Sequence, residues 1–206
     1  MPFALATRNS LLIALGTAVV SLVVSTSATY AFSKFKFPGR DALMLVVLMV
    51  YLIPQILLLV PLWVILRDVG LLLAHATSAI PFAIWMLTGY FNELPVEMKE
   101  AAWMDGASRL QALWYGLLPL AIPVVIVTVL FAFIASWNEF LYALSILRTG
   151  DSKTLPVNLW QLNGEAGIYW DQLAAGGVLT TLPVAVLFIV FLTYIVRGLT
   201  QGAVKG

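Results

Sequence analysis

Cysteine is absent from the 206 residues, which excludes disulfides, thiolate zinc sites and cysteine nucleophiles. Histidine occurs once, as His75, and no other ligand type is spaced around it for a metal site. The sequence reads it as a loop histidine on the outer side, and neither a metal nor any other cofactor is expected. Charge is scarce: 10% of residues are Asp, Glu, Lys or Arg, where a soluble domain carries about a quarter. The formal net charge is +1, with no basic run and no aromatic-interleaved patch, so no nucleic-acid partner is expected. No GxxxxGK[ST] segment occurs, so the sequence offers no phosphate-binding loop of that kind for a nucleotide. The apolar runs hold neither a histidine–glutamate metal motif nor paired aspartates, which disfavours an intramembrane protease.

What is abundant is apolar: 62% of residues are hydrophobic, which places the chain among polytopic membrane proteins embedded in a lipid bilayer. The runs predict an all-α membrane protein with five transmembrane helices in one transmembrane domain over 1–206, at 11–32, 42–66, 74–91, 117–147 and 173–196. Leu11 to Phe32 is about 22 residues, enough to cross roughly 30 Å of hydrocarbon at about 1.5 Å per residue. Its second half is rich in Ser and Thr, which suit packing inside a bundle better than contact with lipid. A cleaved signal peptide is the rival reading of this run, which is long for that purpose. Pro54 and Pro61 in the second run and Pro81 in the third predict kinks in a packed bundle. The fourth run is long for one crossing, so part of it should tilt or lie outside the membrane. Basic residues set the orientation. Lys34, Lys36, Arg40, Lys99, Arg109, Arg197 and Lys205 fall on one side of a five-span chain, against Arg8, Arg67, Arg148 and Lys153 on the other. The richer side marks the cytoplasm, which puts the N-terminus outside and the C-terminus inside.

Between the third and fourth runs, the loop 94–116 is the one long segment that looks built to touch water. Pro95 suits a first helical turn, and Glu93 and Glu97 lie where carboxylates favour a helix N-terminus. A helix from about Pro95 to Asp105 would place Met98, Ala101, Ala102 and Asp105 on one face, small enough for another backbone to approach. Gly106 is expected to end it, and Ser108 with Gln111 three residues on predicts a capping box that starts a second helix.

Glu100-Ala101-Ala102, Asp105-Gly106-Ala107, Leu118-Pro119 and Pro123 resemble the EAA loop of permease subunits of binding-protein-dependent ATP-binding-cassette importers. The segments FSKFKFPGR from Phe32, SWNEFL from Ser136 and GLTQGAVKG from Gly198 resemble the carbohydrate, maltose-type branch. Two departures stand out: Gly116 occupies a position where the pattern has a β-branched aliphatic residue, and the chain begins where the second of the family's usual six spans begins. The resemblance implies a cytoplasmic helix-Gly-helix coupling loop that docks on a separate cytoplasmic ATP-binding subunit through Glu100, Ala101, Ala102, Asp105, Gly106, Ala107 and Arg109. It further implies a second homologous permease subunit, an extracytoplasmic solute-binding protein, and residence in a bacterial or archaeal cytoplasmic membrane. The external loop 148–172, with Trp160, Tyr169 and Trp170, reads either as an interface-anchored connector or as a contact for that binding protein.

Glu139 is the one ionisable side chain embedded in an apolar run, and such residues are functional candidates because burying a charge is costly. Trp137, Asn138, Glu139 and Tyr142 together offer the aromatic faces, amide and carboxylate that hold sugars, and are the candidate translocation-path residues. The competing reading places Glu139 at the outer interface with Trp137 as an ordinary belt aromatic. The expected function is import of a sugar or related polyol. The alternatives are a permease for another solute and an ion-coupled secondary transporter, which would need more membrane-embedded acids than Glu139.

Overall fold

The computed structural model describes residues 3–66, 70–94, 104, 106–108, 111–147, 153–164 and 167–200. The fold is an all-α membrane fold. Its long helices are α1 (Phe3–Lys34), α4 (Leu71–Glu93), α6 (Ile122–Trp137) and α9 (Trp170–Thr200). Between them lie α2 (Arg40–Leu52), α3 (Gln55–Leu66), the single turn α5 (Leu118–Leu120), α7 (Leu141–Ile146) and α8 (Leu155–Trp160). A two-residue antiparallel ladder pairs Asn163 with Ile168 and Gly164 with Gly167.

Among the described residues, three helices are long and apolar enough to cross a membrane, Phe3–Lys34, Leu71–Glu93 and Trp170–Tyr194. Two bent pairs, Arg40–Leu52 with Gln55–Ile65 at 97° and Ala112–Leu120 with Ile122–Trp137 at 85°, raise the count to five when each pair is taken as one broken span. The bend at Pro54 is far larger than a proline kink, because the chain leaves the helix altogether: Ile53 is extended and its N–H bonds back to Val50. Pro61, by contrast, stays inside α3, and Pro81 and Pro183 stay inside α4 and α9.

The bundle is built around α1, which packs along α4 and α6. Its buried side is a stripe of small residues, Ala6, Ser10, Ala14, Thr17, Ala18, Ser21, Ser25 and Thr29. Small side chains let helix backbones approach in a bilayer, where lipid and leucine are equally apolar and close packing supplies the attraction. The Ser- and Thr-rich half of this helix is therefore interior, as its composition implied. Gly16 lies at a close approach to α4, since a Cβ there would run into the side chain of Leu72. Gly16→Leu is expected to overpack this seam and cost about 1–3 kcal/mol, read as a lower thermal midpoint in detergent, while Gly16→Ala, which Leu72 can evade by rotating, should cost less.

The boundaries differ from the sequence reading in instructive ways. Helix α1 spans Phe3–Lys34 rather than 11–32, because α8 folds back on its first turns: the Leu155 N–H donates to Ser10 Oγ at 2.8 Å, and Asn9 Nδ2 donates to the Lys153 carbonyl. Helix α4 begins at Leu71, so Leu71–Ala76 is helical, with Leu71, Ala74, His75 and Ala76 buried. That corrects the reading of His75 as a loop histidine: it lies within α4 and is 2% exposed. The run 117–147 divides into α5, α6 and α7, with breaks at Ala121 and at Asn138–Phe140.

Candidate functional site

Two places in this fold carry polar chemistry that an apolar bundle would not otherwise contain. The first is interior. Nδ1 of His75 lies 2.6 Å from Ser136 Oγ, and Nε2 lies 2.9 Å from Glu139 Oε2. Ser136 Oγ reaches Thr17 Oγ1 at 3.3 Å. The carboxylate also accepts the N–H of Tyr142 at 2.8 Å and of Ala143 at 3.1 Å, the exposed donors of the first turn of α7. One hydrogen-bonded chain thus runs through α1, α6, α4 and α7. Both carboxylate oxygens face backbone donors, so the imidazole Nε2–H donates to Glu139. In the neutral imidazole Nδ1 then accepts from the Ser136 hydroxyl; in the imidazolium Nδ1–H donates to it, and the hydroxyl turns towards Thr17.

This tie explains why α6 can stop inside the bundle. After Trp137 the helix ends, and three residues later α7 begins with no side-chain cap of its own at Phe140. The Glu139 carboxylate takes over that role and anchors the new helix to α4. Sequence reasoning found Glu139 but not its partner, which lies 64 positions away. A signal was present in the sequence: His75 sits in Leu71-Leu72-Leu73-Ala74-His75-Ala76, an apolar stretch directly after Gly70.

The other candidate path residues are distributed unequally. Trp137 is 1% exposed, stacks on Phe133 with centroids 5.8 Å apart, and donates its indole N–H to the Thr180 carbonyl at 3.0 Å. Thr180 lies in α9 one turn before Pro183, whose missing N–H leaves the neighbouring Leu179 carbonyl without its helical donor. Trp137 therefore faces the bundle interior and not the lipid–water interface. Tyr142 is buried as well, its hydroxyl donating to the Gln55 carbonyl at 3.5 Å, whereas Asn138 is exposed. A separate groove of about 620 Å³ opens between α2, α4 and α6, lined by Phe82, Trp85, Phe131 and Asn92 among others.

The second place is the connection from α4 to α5. Glu100, Ala101, Ala102, Asp105 and Arg109 lie outside the described residues. Gly106 is described and adopts φ +81°, a left-handed conformation that L side chains rarely take. Ala107 follows, half-buried. Ser108 and Gln111 then form reciprocal bonds: the Ser108 N–H donates to Gln111 Oε1 at 2.8 Å, and the Gln111 N–H to Ser108 Oγ at 3.3 Å. This is the capping-box geometry. The helix it starts is π-helical over Ala112–Leu117, the stretch that contains Gly116, before α5 resumes. Leu113 and Leu117 pack with Leu87 and Phe91 of α4 and Tyr30 of α1, so both arms of the connection rest on one apolar cluster.

This arrangement of spans is found in membrane transporters of the ATP-binding-cassette class. The fold aligns with a chain in the crystal structure of a bacterial ABC transporter involved in import of the acidic polysaccharide alginate, with a TM-score of 0.70, 23% identity, and coverage of 98% of this chain and 75% of that one. Residues 21–201 match the family of binding-protein-dependent transport system inner membrane components, and the chain belongs to that family. It is accordingly a multi-pass inner-membrane protein. It is 37% identical to the trehalose transport system permease protein SugB of Mycobacterium tuberculosis, over 99% of this chain and 78% of that protein. It is 35% identical to the trehalose/maltose permease protein MalG of Thermococcus litoralis, over 97% and 74%. Against the galactooligosaccharides permease protein GanQ of Bacillus subtilis the identity is 36%, over 96% and 73%.

Proposed function

We propose that this chain is the permease subunit of an ATP-driven importer that moves a sugar or related polyol into the cytoplasm. The observation that carries the substrate class is the likeness, at 35–37% identity over nearly the whole chain, to permease proteins named for trehalose, maltose and galactooligosaccharides. The fold by itself does not select a solute, since a chain of the MetNI methionine transporter aligns with a TM-score of 0.69 at 19% identity. The groove of Phe82, Trp85 and Phe131 beside the Asn92 amide has the chemistry that suits a sugar, aromatic faces next to a hydrogen-bonding group.

In this reading ATP is hydrolysed by a separate cytoplasmic subunit that docks on the 94–116 loop. Glu100 offers a carboxylate to a basic residue of that subunit, Ala101 and Ala102 keep the contact close, and Gly106 with Ala107 sets the angle to the capped second arm. Asp105 and Arg109 cap or pair locally. A second, homologous permease chain completes the passage, and an extracytoplasmic binding protein delivers the solute. The C-terminus is then cytoplasmic and the N-terminus outside. Trp137, Glu139 and Tyr142 act from behind the passage, fixing the turn that presents Asn138.

The test is uptake of labelled trehalose, maltose and galactooligosaccharide into vesicles holding this chain with its companion subunits. Uptake of at least one is expected to require internal ATP and the binding protein, and to survive collapse of proton and sodium gradients. Uptake that needs the gradient and not the ATPase would place the protein among secondary transporters.

A further inference from the structure

The last turn of α4 is closed by a side chain from another helix. Helix α4 ends at Glu93, and Leu94 leaves it extended at φ −68° and ψ 132°, so the left-handed glycine cap that usually satisfies terminal carbonyls is not formed. Instead the Nζ of Lys34, the final residue of α1, donates to the Phe91 carbonyl at 2.8 Å and to the Leu94 carbonyl at 3.3 Å. An ammonium group is suited to this place on two counts. It supplies donors for carbonyls that have no partner further along the helix, and its charge lies at the negative end of the helix dipole. One residue earlier, the Tyr90 hydroxyl donates to the Leu120 carbonyl at 3.1 Å, so the outgoing and returning arms of the loop are joined at the same level. The apolar cluster of Tyr30, Leu87, Phe91, Leu113 and Leu117 lies against these bonds.

We propose that Lys34 is a positioning residue for energy coupling: by holding the two carbonyls where α4 enters the loop, it makes the ends of α1 and α4 move as one body when the loop is displaced. The displacement is then delivered to α1, the helix around which α4 and α6 are packed, and not to α4 alone. Because this inference rests on the loop being the ATPase contact, its test needs one readout that depends on transport and one that does not.

The absence of cysteine makes the second readout direct. Lys36 and Glu93 are exposed on either side of the contact. Spin labels at Lys36→Cys and Glu93→Cys in the assembled transporter are expected to show one narrow distance that is unchanged between nucleotide-free and ATP-bound states. Adding Lys34→Met is expected to broaden that distance and make it change with nucleotide, and adding Lys34→Arg to restore it. In vesicles without labels, Lys34→Met should lower uptake per transporter about tenfold while ATP hydrolysis falls less than twofold, and Lys34→Arg should transport within twofold of the unsubstituted chain. A distance that stays narrow in Lys34→Met overturns the proposal, as does uptake in Lys34→Met within twofold of the unsubstituted protein. If the unsubstituted transporter shows no ATP-dependent uptake, the functional reading fails, and the label distances alone decide the role of Lys34.

Discussion

Glu139→Ala is expected to destabilise the folded chain by about 3 kcal/mol or more, because it strips the acceptor from three buried donors at about 1–3 kcal/mol each. The carboxylate it deletes is 8% exposed and accepts from the His75 imidazole and from the Tyr142 and Ala143 amides. Alanine leaves all three donors facing an apolar interior. The loss should show as a drop in thermal midpoint in detergent and in the amount of chain in the membrane. Glu139→Gln retains one acceptor oxygen and should cost about 1–3 kcal/mol. A double-mutant cycle with His75→Leu should give a coupling of at least about 1 kcal/mol, since the two side chains touch. Unchanged stability in Glu139→Ala would mean that the contact carries no weight, and the residue would have to be explained by the passage alone.

Gly106→Pro is expected to reduce uptake to background with the chain still present in the membrane at near-normal amounts. Proline fixes φ near −65°, whereas Gly106 stands at +81°, so the elbow cannot form and the arm capped by Ser108 and Gln111 leaves in a different direction. The position is exposed, and a Cβ there would meet nothing within 4 Å. The cost is therefore one of backbone conformation and not of packing. Gly106→Ala, which carries only about 1–2 kcal/mol of left-handed strain, should transport at an intermediate rate. Glu100→Lys reverses the charge proposed to meet the ATPase and should also abolish uptake at normal abundance. Wild-type uptake in both Gly106→Pro and Glu100→Lys would remove the coupling role from this loop.

That the chain is an all-α membrane protein was readable because its apolar runs are long enough to cross a bilayer, and the interior side of α1 because Ser and Thr in such a run have few other uses. The elbow at Gly106, Ser108 and Gln111 was readable because its signals are local, three to five residues apart. The contact of His75 with Glu139 was not, since no periodicity links positions on different helices. Trp137 illustrates the same limit. An aromatic near the end of an apolar run suggests an interface, and only the neighbouring carbonyl of Thr180 reveals that it faces inward. Pro54 signalled a break without signalling its size, because the angle depends on how the extended Ile53 is taken up by the helices on either side.

The order in which the chain is made gives the His75–Glu139 contact one further consequence. The imidazole is synthesised 64 residues ahead of its acceptor, an interval of roughly 3–13 s at ordinary ribosomal rates. During that interval α4 has to enter the bilayer with a polar ring unanswered, unless it waits beside the insertion machinery or shelters against the Thr17 side of α1. Packing of the second long helix, α4, should therefore be completed only when Glu139 has been added.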